Sequence, residues 1–451
     1  MHQNYQMRFY TNTAIICVLM GLKATFLCAQ KQIETRTVLP LSLLEVWQKA
    51  DAFSKAIRIK RTGLEASHHK VKDAYAERLP ELSVGGNIEK ATNIPVYENG
   101  LFHKPIQHEV IHTLYKINAE GYFNIYNGGK TNININKEEV LHQIATEQQN
   151  LTISEVRLMS SAYYLELKKN LMFKELMLKD IDEQEQQLKE IKAFQKHGVV
   201  LKSDVLRAEL KLSRQKLSLV QIENDILLSN QKLNILIGEP DDSSVSPTEA
   251  IAPDQIALKS YREYLLEAMD KSYPYRISEK ETSLRKIELK KVKANVAPKL
   301  GLYGDFYFAN PQIFLYPYNP HLYSLGILGL KASFPISSFY HNKHKTKAAE
   351  LELHQQEIAH SDSQDQLRKE VNEAYLRFKE SIVRIEVAKT NISQATENYR
   401  IIRNTYFNQT SLITDLLDAD VQLLETKFEL ATAQITAQYQ YFKLQNVIGT
   451  L

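Results

Sequence analysis

The sequence predicts a mainly α-helical protein with a membrane β-barrel, built from a duplicated unit of helix, strand, strand, long helix and helix. The duplication is the first observation behind this prediction, and an export signal and the number of strands are the others. Three pairs of segments repeat: 202–206 with 413–417, 234–238 with 445–449, and 79–86 with 297–304. The first two pairs are 211 positions apart and the third is 218 apart. A repeat of this kind means that one structural unit must account for both halves of the chain.

The N-terminal residues have the pattern of a secretory signal. After Arg8, a short apolar run at 14–22 leads to small residues near a plausible cleavage point. We therefore predict a signal peptide at residues 1–29. Cys17 and Cys28 both fall in this segment, so the mature chain would contain no thiol. That excludes disulfides, cysteine catalysis and thiolate metal sites, while lipidation of Cys28 stays open.

The composition argues against several functional classes. The charges nearly balance, with 56 Lys and Arg residues against 53 Asp and Glu residues, so no nucleic acid partner is expected. No stretch beyond the signal approaches about 18 consecutive apolar residues, so no transmembrane helix is predicted. The sequence contains neither a glycine-rich phosphate loop nor a nucleophile elbow. We therefore predict no enzymatic activity, no cofactor and no metal site.

The first repeat is predicted at residues 40–238. Its elements are a helix at 41–78, strands at about 82–90 and 113–125, a long helix at 131–196 and a last helix at 203–237. Ser42 begins a capping box, and Pro80 ends the first helix. The long helix is predicted because its segment contains no proline or glycine. The last helix has an apolar seam with steps of three and four residues, which is typical of a coiled coil.

The second repeat is predicted at residues 258–451, after a linker at 239–257. Its elements are a helix at about 258–296, strands at about 299–308 and 323–337, a long helix at about 341–407 and a last helix at about 412–448. In each repeat, the two shorter helices together match the long helix in length. We therefore expect a rod with the linker as an equatorial belt, the strands at one end and the tight turns at the other.

The strands constrain the architecture most strongly. Four strands cannot close a barrel, which needs about eight or more, and open sheet edges are unsatisfied in a membrane. Two copies would give eight strands and three copies twelve. We interpret the aromatic residues near the second strand pair as a membrane-interface girdle, with a soluble β-core as the alternative. These residues are Phe306, Tyr307, Phe308, Phe314, Tyr316, Tyr318 and Tyr323.

The chain resembles the TolC-type outer-membrane efflux proteins, or outer membrane factors, over about residues 40–451. The resemblance rests on the duplicated order, on the segment 198–209 and on the ending 444–451. It implies a homotrimer in the outer membrane of a Gram-negative bacterium, with a twelve-stranded barrel in lipid and an α-helical tunnel in the periplasm. It also implies passive transport of substrates delivered by an inner-membrane pump, expected to be of the RND type, through a periplasmic adaptor (membrane fusion protein).

The resemblance also implies a gate at the periplasmic turns. The residues that match the family's gate and pore positions are Asp204, Tyr406, Asp415 and Asp418. Ser411 stands where the family has a basic residue of its closing links, so that ion pair is absent here. Arg207 stands at the first-repeat position of Asp418, and we hypothesise that it pairs with an aspartate near the tip.

The acidic residues have a simpler alternative role. Asp204 and Asp415 lie where helices begin, where an acid can cap the helix or favour its dipole without further function. Both interpretations stay open for these two residues. Asp418 lies one helical turn further from the start of its helix, and copies of it around a pore would favour cations.

The turns at the rod tip are predicted to contact the adaptor, because exposed apolar turn residues are otherwise costly. The predicted contacts are Gly198, Val199, Val200, Leu201, Gln409, Thr410, Ser411 and Leu412. The alternative is that these side chains pack the turns themselves. The alternative function for the whole chain is a soluble periplasmic coiled-coil scaffold or adaptor. The sequence does not predict the substrate, which the pump selects.

Overall fold

The computed structural model describes residues 38–249, 257–313 and 318–451. The predicted signal peptide, with both cysteines, lies outside the described residues. Phe314 and Tyr316 of the predicted girdle lie outside them as well. Among the described residues, no helix combines the length and the apolar character that a membrane crossing requires.

The first repeat has the predicted order of elements, with one short hairpin added. Its elements are β1 (Val38–Leu41), α1 (Leu43–Phe53), α2 (Lys55–Ala76), β2 (Glu81–Lys90), β3 (Ile94–Val96), β4 (Ile106–His108), β5 (Thr113–Tyr126), α3 (Lys130–Lys196) and α4 (Lys202–Ile237). The added hairpin, β3 and β4, lies in the predicted loop between the two long strands. Helix α3 has 67 residues and is therefore about 100 Å long. The long helix expected from the absence of proline and glycine is confirmed.

The second repeat follows the same plan after the linker strand. Its elements are β6 (Ser244–Pro247), α5 (Tyr261–Lys271), α6 (Tyr273–Lys293), β7 (Lys299–Asn310), β8 (Tyr323–Ser333), α7 (Ser338–Phe407) and α8 (Ile413–Ile448). The strand predicted at 323–337 ends at Ser333, because Pro335 follows and lacks the N–H that a strand donates. Helix α7 begins at Ser338, earlier than the predicted 341.

The first helix of each repeat is broken, and the single helices predicted at 41–78 and 258–296 are wrong in this respect. Ser54 separates α1 from α2 with ψ 122°, and Ser272 separates α5 from α6 with ψ 120°. An extended ψ interrupts the helical hydrogen-bond ladder, so the second helix starts in a new direction. Both serines are buried. The breaks are 218 positions apart, as in the upstream sequence repeat, so they belong to the duplicated unit.

The four long strands form one antiparallel sheet in the order β2, β5, β7, β8. The two repeats meet at β5 and β7. Paired residues of neighbouring strands share a face, and the register aligns Val84, Ala119, Phe306 and Gly326. One face is therefore apolar across the whole sheet. Its larger apolar members are Leu82, Val84, Ile88, Ile117, Phe123, Leu302, Phe306, Phe308, Leu328 and Leu330.

The apolar face is exposed in the single chain, and the opposite face carries most of the polar side chains of the sheet, together with Leu325 and Ile327 of β8. Leu82 is 80% exposed and Leu328 is 78% exposed. On the other face, Lys116 lies 4.0 Å from Asp305 and 4.3 Å from the ring centroid of Tyr307. A sheet in water buries its apolar face and solvates the other. Here the apolar face is not buried, which argues against a soluble β-core.

The linker and the N-terminal strand meet near the middle of the rod. Strand β1 pairs in parallel with β6, and Tyr164 donates a hydrogen bond from its hydroxyl to the Leu41 carbonyl at 3.0 Å. Tyr164 lies about halfway along α3. The described part of the linker is therefore at the waist of the rod, above a core that includes Leu233 and Phe442.

Candidate functional site

The two helical hairpins end in turns of the same geometry. Gly198 follows α3 with φ 78°, and Gln409 follows α7 with φ 63°, at equivalent positions of the two repeats. Equivalent backbone hydrogen bonds close the turns, from Val199 to Phe194 and from Thr410 to Thr405, both 2.9 Å long. Glycine adopts this left-handed conformation without strain, whereas glutamine pays roughly 1 kcal/mol for it.

The structure divides the predicted tip contacts into packed and exposed residues. Val200 packs against the buried cluster at the tip, and Ser411 accepts a hydrogen bond from the Thr405 hydroxyl at 3.2 Å. Leu201 and Leu412, which precede the first turns of α4 and α8, are 71% and 68% exposed. The apolar surface available at the tip therefore consists mainly of these two leucines.

The two first-turn aspartates differ in their contacts. The carboxylate of Asp415 accepts a hydrogen bond from the Leu412 N–H at 3.2 Å, as a helix-capping acid does. Asp204 accepts a weaker bond from the Ser203 hydroxyl at 3.4 Å. Asp415 therefore has a structural role within its own helix. Asp204 is half-buried and faces the second hairpin.

Tyr406 lies close to Asp204 and is 5% exposed. Burial, and after it the negative charge of Asp204, raises the pKa of the Tyr406 hydroxyl to about 12. Within the described residues, this hydroxyl has no hydrogen-bond partner. The structure thus brings two residues of the predicted gate together without joining them by a hydrogen bond.

Arg207 and Asp418 lie on the exposed side of the same region. Both line a groove between α4 and α8, together with Leu210, Arg214 and Val421. In the part of the chain that the structure describes, neither side chain forms an ion pair with another residue of the same copy. The pairing of Arg207 with an aspartate stays a prediction for contacts between copies.

A buried polar cluster, which the sequence reasoning missed, joins the two hairpins above the tip. Lys211 of α4 donates a hydrogen bond to the carboxylate of Asp420 of α8. Gln184 of α3 donates to the same carboxylate at 2.6 Å. Asp420 is 1% exposed. A buried charge pair of this kind is costly to break by removing one partner, because the other charge is then left uncompensated.

A second part of the cluster lies further from the tip along α3 and α4. Gln215 of α4 donates to the carboxylate of Asp180 of α3. Burial, and after it the charge of Asp420, raises the pKa of Asp180 to about 7. The same causes, in the same order, raise the pKa of Tyr399 to about 12. Both polar atoms of the buried Gln187 side chain lack a partner among the described residues.

The cluster holds no metal-binding geometry. Across 38–249, 257–313 and 318–451, no group of three or more His, Cys, Asp or Glu side chains is arranged to hold a metal ion. The cluster is instead a set of polar links. Those from Gln184 and Lys211 to Asp420 join the two hairpins, and the one from Gln215 to Asp180 lies within the first hairpin.

A sequence model of the outer membrane efflux protein family matches residues 290–450. No curated protein matches the sequence at a significant level. Several solved structures share the fold across nearly the whole chain, at low sequence identity.

Three of these structures illustrate the likeness. The outer membrane protein VceC of Vibrio cholerae has a TM-score of 0.74 at 15% identity, covering 90% of this chain and 96% of its own. The CmeC outer membrane channel of Campylobacter jejuni has a TM-score of 0.74 at 12% identity, covering 90% and 85%. The open MtrE outer membrane channel of Neisseria gonorrhoeae has a TM-score of 0.72 at 14% identity, covering 93% of each.

The sequence match lies in the second repeat, and the shared fold extends over both repeats. The described elements also follow the duplicated order that the sequence predicted. The second repeat is therefore similar in sequence to the outer membrane efflux proteins, and the chain shares its fold with solved outer-membrane channels.

Proposed function

We propose that three copies of this chain form a passive exit duct for substrates that an inner-membrane pump delivers through a periplasmic adaptor. One observation carries the proposal. The four-stranded sheet exposes a continuous apolar face, while its other face carries most of its polar side chains. Strands with an outward apolar face and an inward polar face are typical of an outer-membrane barrel around an aqueous lumen.

The edges of the sheet support assembly from several copies. Strands β2 and β8 lie at the two edges. An unpaired edge leaves backbone N–H and C=O groups unsatisfied in lipid. Pairing β8 of one copy with β2 of the next removes every edge, and three copies give twelve strands. Three copies, rather than two, agree with the homotrimer that the resemblance to the outer membrane factors implies.

The helices support the same contact between copies. Exposed apolar residues on α4 recur with spacings typical of a coiled-coil seam, and α7 carries two shorter groups of exposed apolar residues and Ile401. The residues on α4 are Leu206, Leu210, Leu217, Val220, Leu227 and Ile235, and the two groups on α7 are Leu351 with Ile358 and Leu376 with Val383 and Val387. In the proposed trimer, these side chains are buried between neighbouring copies.

The buried links between the hairpins provide the latch of the proposed gate. Opening requires the second hairpin to move away from the first at the tip, and the Lys211–Asp420 pair opposes that movement. This pair takes the place of the ion pair that Ser411 cannot form. Asp204, Asp415 and Asp418 would then line the entrance.

Contacts between copies complete the proposed gate. The Arg207 guanidinium, which forms no ion pair among the described residues of one copy, is the group that we expect a neighbouring copy to engage. A pore-lining Asp418 from each copy would form an acidic ring that favours cations.

The adaptor is proposed to bind the tips. Leu201 and Leu412 offer exposed apolar side chains there, flanked by the predicted contacts Gly198, Val199, Gln409 and Thr410. Val200 and Ser411 would support the turns from within. Energy for transport comes from the pump, expected to be of the RND type, because the chain has no motif for nucleotide hydrolysis.

The proposed edge contact can be tested by cross-linking. Both native cysteines precede residue 29, so introduced cysteines are free of competition in the mature chain. Val84→Cys on β2 is combined in turn with Ser324→Cys, Gly326→Cys, Leu328→Cys and Leu330→Cys on the same face of β8. We expect one or two of these pairs to give oxidised species of two and three chains and none larger. A ladder that continues beyond three chains, or no cross-link from any pair, contradicts the proposal, and each single cysteine serves as its control.

The soluble scaffold is the second candidate, and the exposed sheet face argues against it. A scaffold in water would bury Leu82, Val84 and Leu328, which are exposed here. Extraction of the protein without detergent would favour the scaffold.

A further inference from the structure

We propose that the junction between β8 and α7 is a binding site for anionic phospholipid in the periplasmic leaflet of the outer membrane. The site consists of Phe334, Ile336, Phe339, Lys343 and Lys347, and is called the junction patch below. The proposal rests on the proposed insertion of the sheet in lipid, because that insertion places the junction at the membrane boundary.

The apolar part of the junction patch continues the lipid-facing side of the sheet. Phe334 follows Leu328, Leu330 and Ala332 in the alternation of β8. The rings of Phe334 and Phe339 meet edge to face, with centroids 5.7 Å apart. Ile336, in the turn between them, is 72% exposed. Aromatic side chains at the level of lipid headgroups are typical of membrane proteins.

The charged side chains around the junction patch are all basic. Residues 331–347 contain four lysines and two histidines and no aspartate or glutamate. The first acid beyond them, Glu350, lies 3.3 Å from the ammonium of Lys293 and is therefore already paired. Lys343 and Lys347 are exposed, and within the described residues neither has an ion-pair partner. An unpaired cationic surface complements an anionic headgroup.

Helix α7 places the two lysines further from the sheet than the aromatic residues. Phe339, Lys343 and Lys347 are spaced by four residues, so they form one row along α7. The buried side chains of Asn342 and Ala349 lie on another side of this helix. At about 1.5 Å per residue, Lys343 is about 6 Å and Lys347 about 12 Å further from the sheet than Phe339.

The headgroup layer of each leaflet is roughly 5–8 Å thick. If Phe339 lies at the acyl boundary, the backbone of Lys343 is within the headgroup layer. The backbone of Lys347 is about 4 Å or more beyond it, and its long side chain can reach back to the headgroups. The ligand that we propose for the junction patch is a phosphodiester anion attached to an acyl chain. A lipid satisfies both halves of the junction patch, whereas a free phosphate would satisfy only the lysines.

The first repeat has no counterpart of this surface. Residues 123–139, around the β5–α3 junction, contain two lysines and two glutamates. Lys130 donates to the Asn295 side chain at 2.7 Å. Gly128 packs so closely that an added Cβ would lie 2.5 Å from the Cβ of Ala297. The junction of the first repeat is therefore packed against the second repeat, and each copy has one junction patch.

The test measures which lipids remain on the purified full-length protein. The protein is delipidated in a neutral detergent and incubated with equal amounts of phosphatidylglycerol and phosphatidylcholine that carry the same acyl chains. The retained lipids are then quantified. We expect the wild type to retain more phosphatidylglycerol, by about fivefold for each engaged lysine. Lys343→Gln with Lys347→Gln should bring the ratio close to one.

Two further variants make the result specific. Lys369→Gln with Lys379→Gln removes two exposed lysines further along α7 and should leave the ratio unchanged. Phe334→Ser with Phe339→Ser should reduce the retention of both lipids. Excess inorganic phosphate should not displace the lipid, and displacement would show a simple phosphate site instead.

The outcomes separate this proposal from the proposed channel. An unchanged lipid ratio in the Lys343 and Lys347 variant, with assembly and conductance intact, overturns the junction patch alone. Loss of assembly in that variant overturns it as well, because the lysines would then contact a neighbouring copy. Failure of the wild type to assemble or conduct contradicts the proposed function itself.

Discussion

Lys211 and Asp420 are 209 positions apart in the sequence, and their side chains form a buried ion pair that joins the first helical hairpin to the second. Lys211 also donates to the Leu417 carbonyl at 3.3 Å, so its ammonium group is held on the second hairpin. The position of this pair, one to two turns of α8 from the tip, makes it the strongest candidate for a latch that must break when the entrance opens.

Replacing Lys211 with methionine tests the latch. Asp420 would then be a buried carboxylate without its cation, and such a change costs about 3–5 kcal/mol. We expect a lower thermal midpoint in detergent and more frequent open events in bilayer recordings.

A matched control is available on the surface of the same helix. Lys216 lies 2.6 Å from Glu185, and both side chains are about half exposed. Lys216→Met should therefore change stability by no more than about 1 kcal/mol and leave the conductance unchanged. Equal effects of the two substitutions would remove the argument for a latch at Lys211.

The raised pKa of Asp180 predicts a pH dependence of stability. Its folded pKa is about 7, against an ordinary value of 3.8, so the folded protein binds this proton more tightly than the unfolded chain. Stability is therefore lost as the pH rises from about 4 to 7, and the loss is complete above 7. The groups facing Asp180 are Asp420, Lys211, Lys427, Glu183 and Gln215.

The comparison of wild type with Asp180→Asn isolates this effect. The midpoint of the wild type should fall more than that of the variant between about pH 5 and pH 8. Parallel curves would mean that Asp180 does not titrate in this range.

Gln409 offers a test of backbone strain at the tip. Its φ of 63° suits glycine, so Gln409→Gly should stabilise the protein by roughly 1 kcal/mol. The reciprocal change at the equivalent position, Gly198→Ala, should destabilise it by a similar amount. Thermal midpoints of the two variants provide the measurement, and shifts in the same direction would contradict the shared turn geometry.

The two faces of the sheet predict opposite responses to a new charge. Leu328→Arg places a cation on the face proposed to contact lipid and should cost about 2–4 kcal/mol if it lies near the midplane, which lowers the amount of folded protein in the membrane. Asn118→Arg lies on the polar face and should leave assembly intact while altering ion selectivity. Equal losses of membrane-inserted protein would contradict the assignment of the faces.

The sequence was informative where a local pattern decides the structure. The long helices could be predicted because their segments lack proline and glycine, and the strands because apolar residues alternate. The break at Ser54 could not, since serine is a mild helix former and no local signal sets it apart. The break at Ser272 has such a signal in Pro274, which lies in the first turn of the new helix. The equivalent turns at Gly198 and Gln409 follow from the repeat, although glutamine alone would not indicate a left-handed residue.

The candidate site was predicted only in part for a related reason. Asp204 and Tyr406 were found through the family resemblance, and the structure places them together. The Lys211–Asp420 pair was missed because its members come from different hairpins, and the repeat aligns neither residue with the other. Lys211 and Asp180 lie on helix faces that also carry polar residues such as Gln215 and Gln184, so no local pattern sets them apart as a buried link.

The central claim is that the chain forms a trimeric duct through the outer membrane. The most direct test is the mass of the detergent-extracted protein, determined by light scattering, together with single-channel recordings of the same sample in a planar bilayer. Three chains per particle, with discrete conductance steps, is the result that the proposed duct predicts. A monomeric particle that gives no conductance would contradict it.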